Sequence, residues 1–230
     1  MTKICEECVL RNTGFCAALI GTPPDKTVFE NRKQGIVPAR RFVQKDGDTK
    51  GTVKIIRRGW AASVERSDHG KMMTSEVLVA GDLIGGGFMS PDGRTRTVRA
   101  MTEVEFCSFD SEFLVGLVQS RRDLFELSIK ISSDIVRALR ERILDLGTRT
   151  AEQRVASLVV NIHDKMEERG LLKGPKMPFP LRQQDLADAL GLTTVHTNRV
   201  LKGMREAGVL TIDSKEIYIS DVEKIRPMLA

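Results

Sequence analysis

Residues 182–209 read RQQDLADALGLTTVHTNRVLKGMREAGV. Leu186, Ala187 and Leu190 recur on one side of a first short helix. Gly191 supplies a turn, Leu192 fills the corner, and Thr193 or Thr194 caps a second helix. That second helix is expected to bury Val195, Val200, Leu201 and Met204 and to end at Gly208. Ala187 is small enough to let the two helices cross closely. A tight turn between two short helices, with a small residue at the crossing, is the pattern of a helix-turn-helix. An ordinary helical hairpin inside a core is the competing reading.

The flanks favour the first reading. Residues 209–212 and 217–219 are two apolar runs around Asp213-Ser214-Lys215-Glu216, which predicts a β-hairpin wing that leans on phosphates. On such a second helix the N-terminal side chains reach base edges. The candidates are Val195, His196, Asn198 and Arg199. Arginine can bond guanine bidentately, asparagine can bond adenine, and valine can touch a thymine methyl. Thr194, Lys202 and Arg205 are better placed for phosphates. His196 reads equally well as a solvated helix residue.

Upstream, Thr150 is set to cap a helix from 151 to about 169, and residues 147–150 form a hinge. Before it, residues 111–147 take a helical period. Leu124, Leu127 and Ile131 are spaced three and four; Val136, Leu139, Ile143 and Leu146 are spaced three, four and three. No Pro or Gly interrupts 117–146. So narrow a stripe on so long a helix predicts a seam with a partner helix, a second copy of the chain. Packing on the chain's own domain is the alternative.

Residues 34–110 read as β. Apolar runs at 52–58, 60–65, 72–79 and 95–109 alternate with turn signals at 45–48, 67–70 and 90–93. Trp60, Ala62 and Val64 alternate with smaller or polar residues, as in a half-buried strand. Many short strands at even spacing suggest a barrel or sandwich. The expected organisation is an arm at 1–20, a β-roll at 21–110, the long helix at 111–147 and a winged helix-turn-helix at 148–230. The fold class is α+β.

The chain has 230 residues and a net charge of +5. Residues 151–230 hold 12 Lys and Arg against 11 Asp and Glu, so a basic DNA-facing surface must come from arrangement. The N-terminus lacks a basic-then-apolar signal pattern, and no apolar run nears the roughly 20 residues of a membrane span. A cytoplasmic protein with no membrane partner is expected. No P-loop, no nucleophile elbow and no dinucleotide fingerprint occur. Gly85-Gly86-Gly87 precedes Phe88-Met89-Ser90-Pro91 and opens no helix, and Ser67, Asp68 and His69 share a wet turn. No enzyme is expected.

Of the four cysteines, Cys5, Cys8 and Cys16 crowd into the first 16 residues, and Cys107 stands alone. In a cytosolic chain such clustering points to metal or redox chemistry more than to disulfides. Four thiolates suit an iron–sulfur cluster. A zinc site would use the same ligands, although only one short Cys-x2-Cys pair is present. A dithiol switch at Cys5 and Cys8 is the third reading.

The order of β-roll, long helix and winged helix-turn-helix resembles the Crp/Fnr superfamily. Ala80-Gly81-Asp82-Leu83-Ile84-Gly85 looks like that family's β-roll signature. Thr150-Ala151-Glu152-Gln153-Arg154-Val155-Ala156 resembles the start of the helix after its dimer helix, and LGLTTVHTNRVL resembles its recognition helix. The resemblance covers nearly the whole chain. It implies a cyclic-nucleotide-binding-like β-roll (a double-stranded β-helix), a long dimerisation helix, a homodimer on palindromic double-stranded DNA, and contact with RNA polymerase. The cysteines are similar to those of Fnr-type oxygen sensors, which implies one [4Fe-4S] cluster per subunit on Cys5, Cys8, Cys16 and Cys107. Val195 and Asn198 stand where that group has Glu and Ser, whereas Arg199 matches, so the preferred half-site is expected to differ. The apolar positions of the Val136–Leu146 seam hold no acidic residue, which removes one route to charge-driven dissociation. In the cyclic-nucleotide branch, Arg94 and Thr95 occupy the phosphate-binding positions, but Gly86 stands where that branch has a ribose-binding Glu. The histidines, His69, His163 and His196, give no support to a haem reading.

Overall fold

The computed structural model describes residues 5, 7–47, 51–66, 72–85, 96–174, 177–213 and 216–229. The chain divides into two compact units, residues 1–63 with 78–136, and residues 64–77 with 137–230.

The first unit begins with a 3-10 turn at Val9–Asn12, then α1 at Gly14–Ile20 and α2 at Lys26–Asn31. These residues are no free arm: Leu10, Phe15, Leu19 and Ile20 are buried. Along the chain the strands are β1 Lys33–Val37, β2 Phe42–Gln44, β3 Thr52–Arg58, β4 Ala61–Arg66, β5 Met72–Leu78, β6 Leu83–Ile84, β7 Thr97–Ala100 and β8 Val104–Asp110, of which residues 64–66 of β4 and 72–77 of β5 are grouped with the second unit. One sheet has the order β1-β8-β3-β6 and another the order β2-β7-β4-β5. The run at 95–109 thus contains two strands. Residues 60–64 are buried throughout, not half-buried, because both faces of this strand are covered. In the turn before β6, the backbone N–H of Val79 donates to the Asp82 carboxylate at 2.8 Å.

Side chains alternate across β3 and β8 with the period of two that a pleated strand imposes. Ile56, Val104 and Phe106 face a cluster with Val43, Leu78, Val98 and Ala100 inside the roll. Val53, Ile55 and Phe109 face outward onto Phe15, Leu19, Leu114, Val118 and Leu124. Cys107 lies opposite Gln34 on β1 and Ile55 on β3, and so belongs to the outward, helix-covered face.

The helix expected at 111–147 is two: α3 at Ser111–Ser120 and the 27-residue α4 at Arg122–Thr148. Arg121 at the break is extended; its guanidinium donates to the carbonyls of Ala18 at 2.6 Å and Leu19 at 3.1 Å. It thereby satisfies the free C-terminal carbonyls of α1. The proposed seam divides in the same way. Leu124 is buried, and Leu127 and Ile131 pack beside it on the unit's own core, so these three offer no free stripe. Val136, Leu139 and Ile143 stay exposed, with Ile135 and Leu144 beside them, while Leu146 is partly covered.

The second unit holds α5 at Ala151–Glu168, β9 at Met177–Phe179, α6 at Gln183–Leu190, α7 at Thr194–Glu206, and the hairpin β10 Leu210–Asp213 and β11 Glu216–Ile219. Thr150 and Gln153 form a reciprocal capping box at the start of α5. The wing carries a third strand, β9 pairing with β11, which the short Met-Pro-Phe run did not announce.

Candidate metal centre and nucleic-acid interface

None of the four cysteines is in a disulfide, and all are partly buried. Cys5 and Cys8 lie on one turn, the Cys8 N–H donating to the Cys5 carbonyl at 3.3 Å. Cys16 on α1 and Cys107 on β8 pack against the same apolar cluster. Burial pushes the Cys107 thiol up, the positive charge of Arg32 opposes this, and the charges of Cys5 and Cys8 push it further. Arg32 donates from Nη1 to the Cys5 sulfur. Arg57 ion-pairs with Glu105 on the same outward face. The donor set is soft and half-covered, with cations nearby. Such a donor set suits a thiolate-held metal group, whose own positive charge favours the thiolate.

His163, Asp164 and Glu167 on α5 also bring three donor atoms within 4.8 Å of one another. Both Asp164 oxygens are engaged by Arg226, whose guanidinium already supplies the balancing charge. This group is a surface ion pair that fastens the C-terminal turn to α5.

The helix-turn-helix is locally determined. Asp185, buried on α6, accepts from the Arg182 N–H at 3.0 Å. Gly191 takes the left-handed conformation at φ +66°, and Leu192 N–H closes onto the Ala187 carbonyl at 3.0 Å. Thr193 is the cap of α7, its hydroxyl accepting from the His196 N–H at 3.2 Å. Thr194 instead donates to Gln184 on α6 at 2.9 Å, so it braces the two helices.

α7 buries Thr197, Val200, Leu201 and Met204. Val195 is 72 % exposed, contrary to its expected burial, since Thr197 takes the inward position. Thr197 can do so because its hydroxyl bonds back to the Thr193 carbonyl at 3.1 Å. Its polar side chain concealed it from a hydrophobic pattern. Val195, Asn198, Arg199 and Lys202 follow the i, i+3, i+4, i+7 spacing of one helix face, and all are exposed. His196 and Arg205 are exposed on the flanks. Arg94 and Thr95, the proposed ligand pair of the roll, lie outside the described residues.

One residue that sequence motifs did not explain joins this reader to the end of α4. Arg154 donates to the carbonyls of Leu146 at 2.9 Å, Arg149 at 3.1 Å and Leu190 at 3.3 Å. Its single cation thus serves the last turns of α4 and α6, where carbonyls lack helical partners. Beside it, buried Asp145 accepts from Ser157 at 2.7 Å and ion-pairs with Arg149 at 2.7 Å. The segment expected to act as a hinge is braced by side chains on both sides. A Cβ on Gly191 would stand 3.2 Å from the Leu146 side chain. Gly191→Ala should lower stability by about 1–2 kcal/mol, from left-handed strain plus this contact. Urea unfolding checks it, and an unchanged midpoint would overturn it.

Residues 36–121 match the family model of the cyclic nucleotide-binding domain, and residues 153–228 match that of the Crp-like helix-turn-helix domain. The chain belongs to the Crp/Fnr family. Among its relatives, the transcriptional activator protein FnrA of Stutzerimonas stutzeri is 24 % identical over 223 residues, covering 94 % of this chain and 88 % of that protein. The transcriptional activator protein anr of Pseudomonas aeruginosa is 22 % identical over 219 residues, with the same coverage. In fold, the chain is similar to FixK2 from Bradyrhizobium japonicum, with a TM-score of 0.74 and 17 % identity over 86 % of this chain and 98 % of that one. A CooA variant from Carboxydothermus hydrogenoformans gives a TM-score of 0.70 at 17 % identity, covering 96 % and 98 %. This Crp/Fnr protein is a DNA-binding transcription regulator, and its relatives are regulators, not enzymes. Among the described residues no helix is long and apolar enough to cross a membrane.

Proposed function

We propose that the chain is an oxygen- or redox-responsive regulator that holds one [4Fe-4S] cluster per subunit on Cys5, Cys8, Cys16 and Cys107. It acts in the cytoplasm as a homodimer on a palindromic site and touches RNA polymerase. The supporting observation is that Cys16 and Cys107 pack on one apolar cluster, while Cys5 and Cys8 share one turn at the same end of the chain as Cys16. The cluster would supply a centre that oxygen or nitric oxide destroys.

The rest is the work of the chain's own residues. With its thiols engaged, the N-terminal segment is pinned to β8. The helix bearing Cys16 also buries Phe15 and Leu19 against Leu124 of α4 and accepts from Arg121. A shift of α1 therefore reaches the base of α4 directly, and Arg154 ties the far end of α4 to the turn before α7. Loss of the pin moves the population away from the DNA-competent arrangement.

Anaerobic purification with an absorption spectrum and iron and zinc counts tests the reading. A brown protein with about four irons per chain, bleaching in air, is expected. A colourless protein with neither metal overturns it. The match of residues 36–121 to the cyclic nucleotide-binding domain then favours a second reading, a small ligand in the roll.

The dimer has its own test. Ile143 is 71 % exposed on α4, with Val136 and Leu139 on the same stripe. Ile143→Asp should convert the dimer to monomer, because each copy forfeits about 1.5–3 kcal/mol of apolar burial and gains a charge at the seam. Sedimentation reads this directly. A variant that stays dimeric would place the interface elsewhere.

A further inference from the structure

Arg32 follows α2 directly, and its guanidinium donates to the Cys5 sulfur. A cation at the end of α2 therefore engages the ligand furthest toward the N-terminus. The neighbouring cation, Arg57, is ion-paired with Glu105. Four thiolates around an iron–sulfur core leave a net negative charge, and half-burying that charge is costly unless a fixed cation balances it. The Cys8 N–H donates to the Cys5 carbonyl at 3.3 Å, and the Arg32 guanidinium is a side-chain partner of the Cys5 sulfur.

We propose that Arg32 is the positioning residue of the thiolate centre: its guanidinium holds Cys5 against the roll and balances the charge of the metal group. This rests on the metal-binding reading above. An arginine suits the task because it stays charged and presents several donors in a rigid fork. The expected effect of Arg32 is on how tightly and at what potential the metal group is held.

Arg32→Gln and Arg32→Lys, purified anaerobically beside the parent protein, test the proposal. Circular dichroism and thermal unfolding of the metal-free proteins report folding. Arg32→Gln is expected to lose iron several-fold faster to a ferrous chelator, and its reduction potential should move negative as the cation is removed. Arg32→Lys, which keeps the charge, should recover most of both. A folded Arg32→Gln protein with parental iron loss and potential overturns the proposal. If the parent protein holds no iron, the cluster reading fails by itself. Zinc titration of the metal-free proteins against a chromophoric chelator then decides for Arg32: several-fold weaker zinc binding by Arg32→Gln supports it, and equal binding overturns it.

Discussion

Cys107→Ala is expected to give a colourless protein whose iron falls from about four per chain to below one, and whose DNA binding no longer differs between air and nitrogen. Cys107 is the one cysteine carried by the roll; it stands on β8 between β1 and β3, on the most extensively paired part of the sheet. Cys5, Cys8 and Cys16 come from short turns and a seven-residue helix. Without Cys107 the other three have no anchor on the sheet, so loss of this ligand should release the whole group. The metal-free fold should barely notice. The side chain is partly exposed, and trimming its sulfur costs on the order of 1 kcal/mol. Iron counts, spectra and thermal unfolding of the same preparations separate the two effects. A Cys107→Ala protein that still holds iron and still responds would refute the ligand assignment.

The second large effect falls on DNA. Arg199 is exposed on α7, one turn beyond Val195 and beside Asn198, and the α6–α7 turn fixes its direction. A guanidinium bonded bidentately to guanine contributes about 1–3 kcal/mol of discrimination, and a dimer presents it twice. Arg199→Ala should therefore weaken binding to the full site by about 2–6 kcal/mol and relax base choice at one position in each half-site. Titration against the parent site and against sites altered at each position reads both quantities. Equal weakening on every sequence, with a smaller salt dependence, would make Arg199 a phosphate contact instead.

Much of this architecture was written locally. The 183–206 region carries its own punctuation: Asp185 and Thr193 as caps, Gly191 as the left-handed turn, and apolar residues at helical spacing. Such signals act within a few residues, so they survive reading one residue at a time. Val195 was misplaced for the same reason: hydrophobicity suggested burial, whereas Thr197, bonded to the Thr193 carbonyl, filled the inward position. The long helix was read as unbroken because no Pro or Gly marks Arg121; the break comes from a side chain reaching 102 and 103 residues back to α1.

The cysteines show the division most clearly. Their number and crowding were visible in the sequence and indicated thiolate chemistry, since three thiols in 16 residues are hard to explain otherwise. Only the folded chain decided that Cys107 faces outward toward α1 rather than into the roll, because that depends on the register of β8 against β1 and β3. A one-residue slip would have sent it to the other face. The same holds for the stripe on α4. Its helical period was legible, but whether Leu124, Leu127 and Ile131 meet a partner or the chain's own core depends on which surfaces the roll leaves uncovered. By itself, then, the sequence determined the elements, their caps and the chemistry on offer, because these follow from short-range sterics and residue type. Tertiary structure decided which faces meet, and with them the companions of Cys107, the free part of α4 and the place of Arg154, because register and long-range packing are set by the whole chain at once.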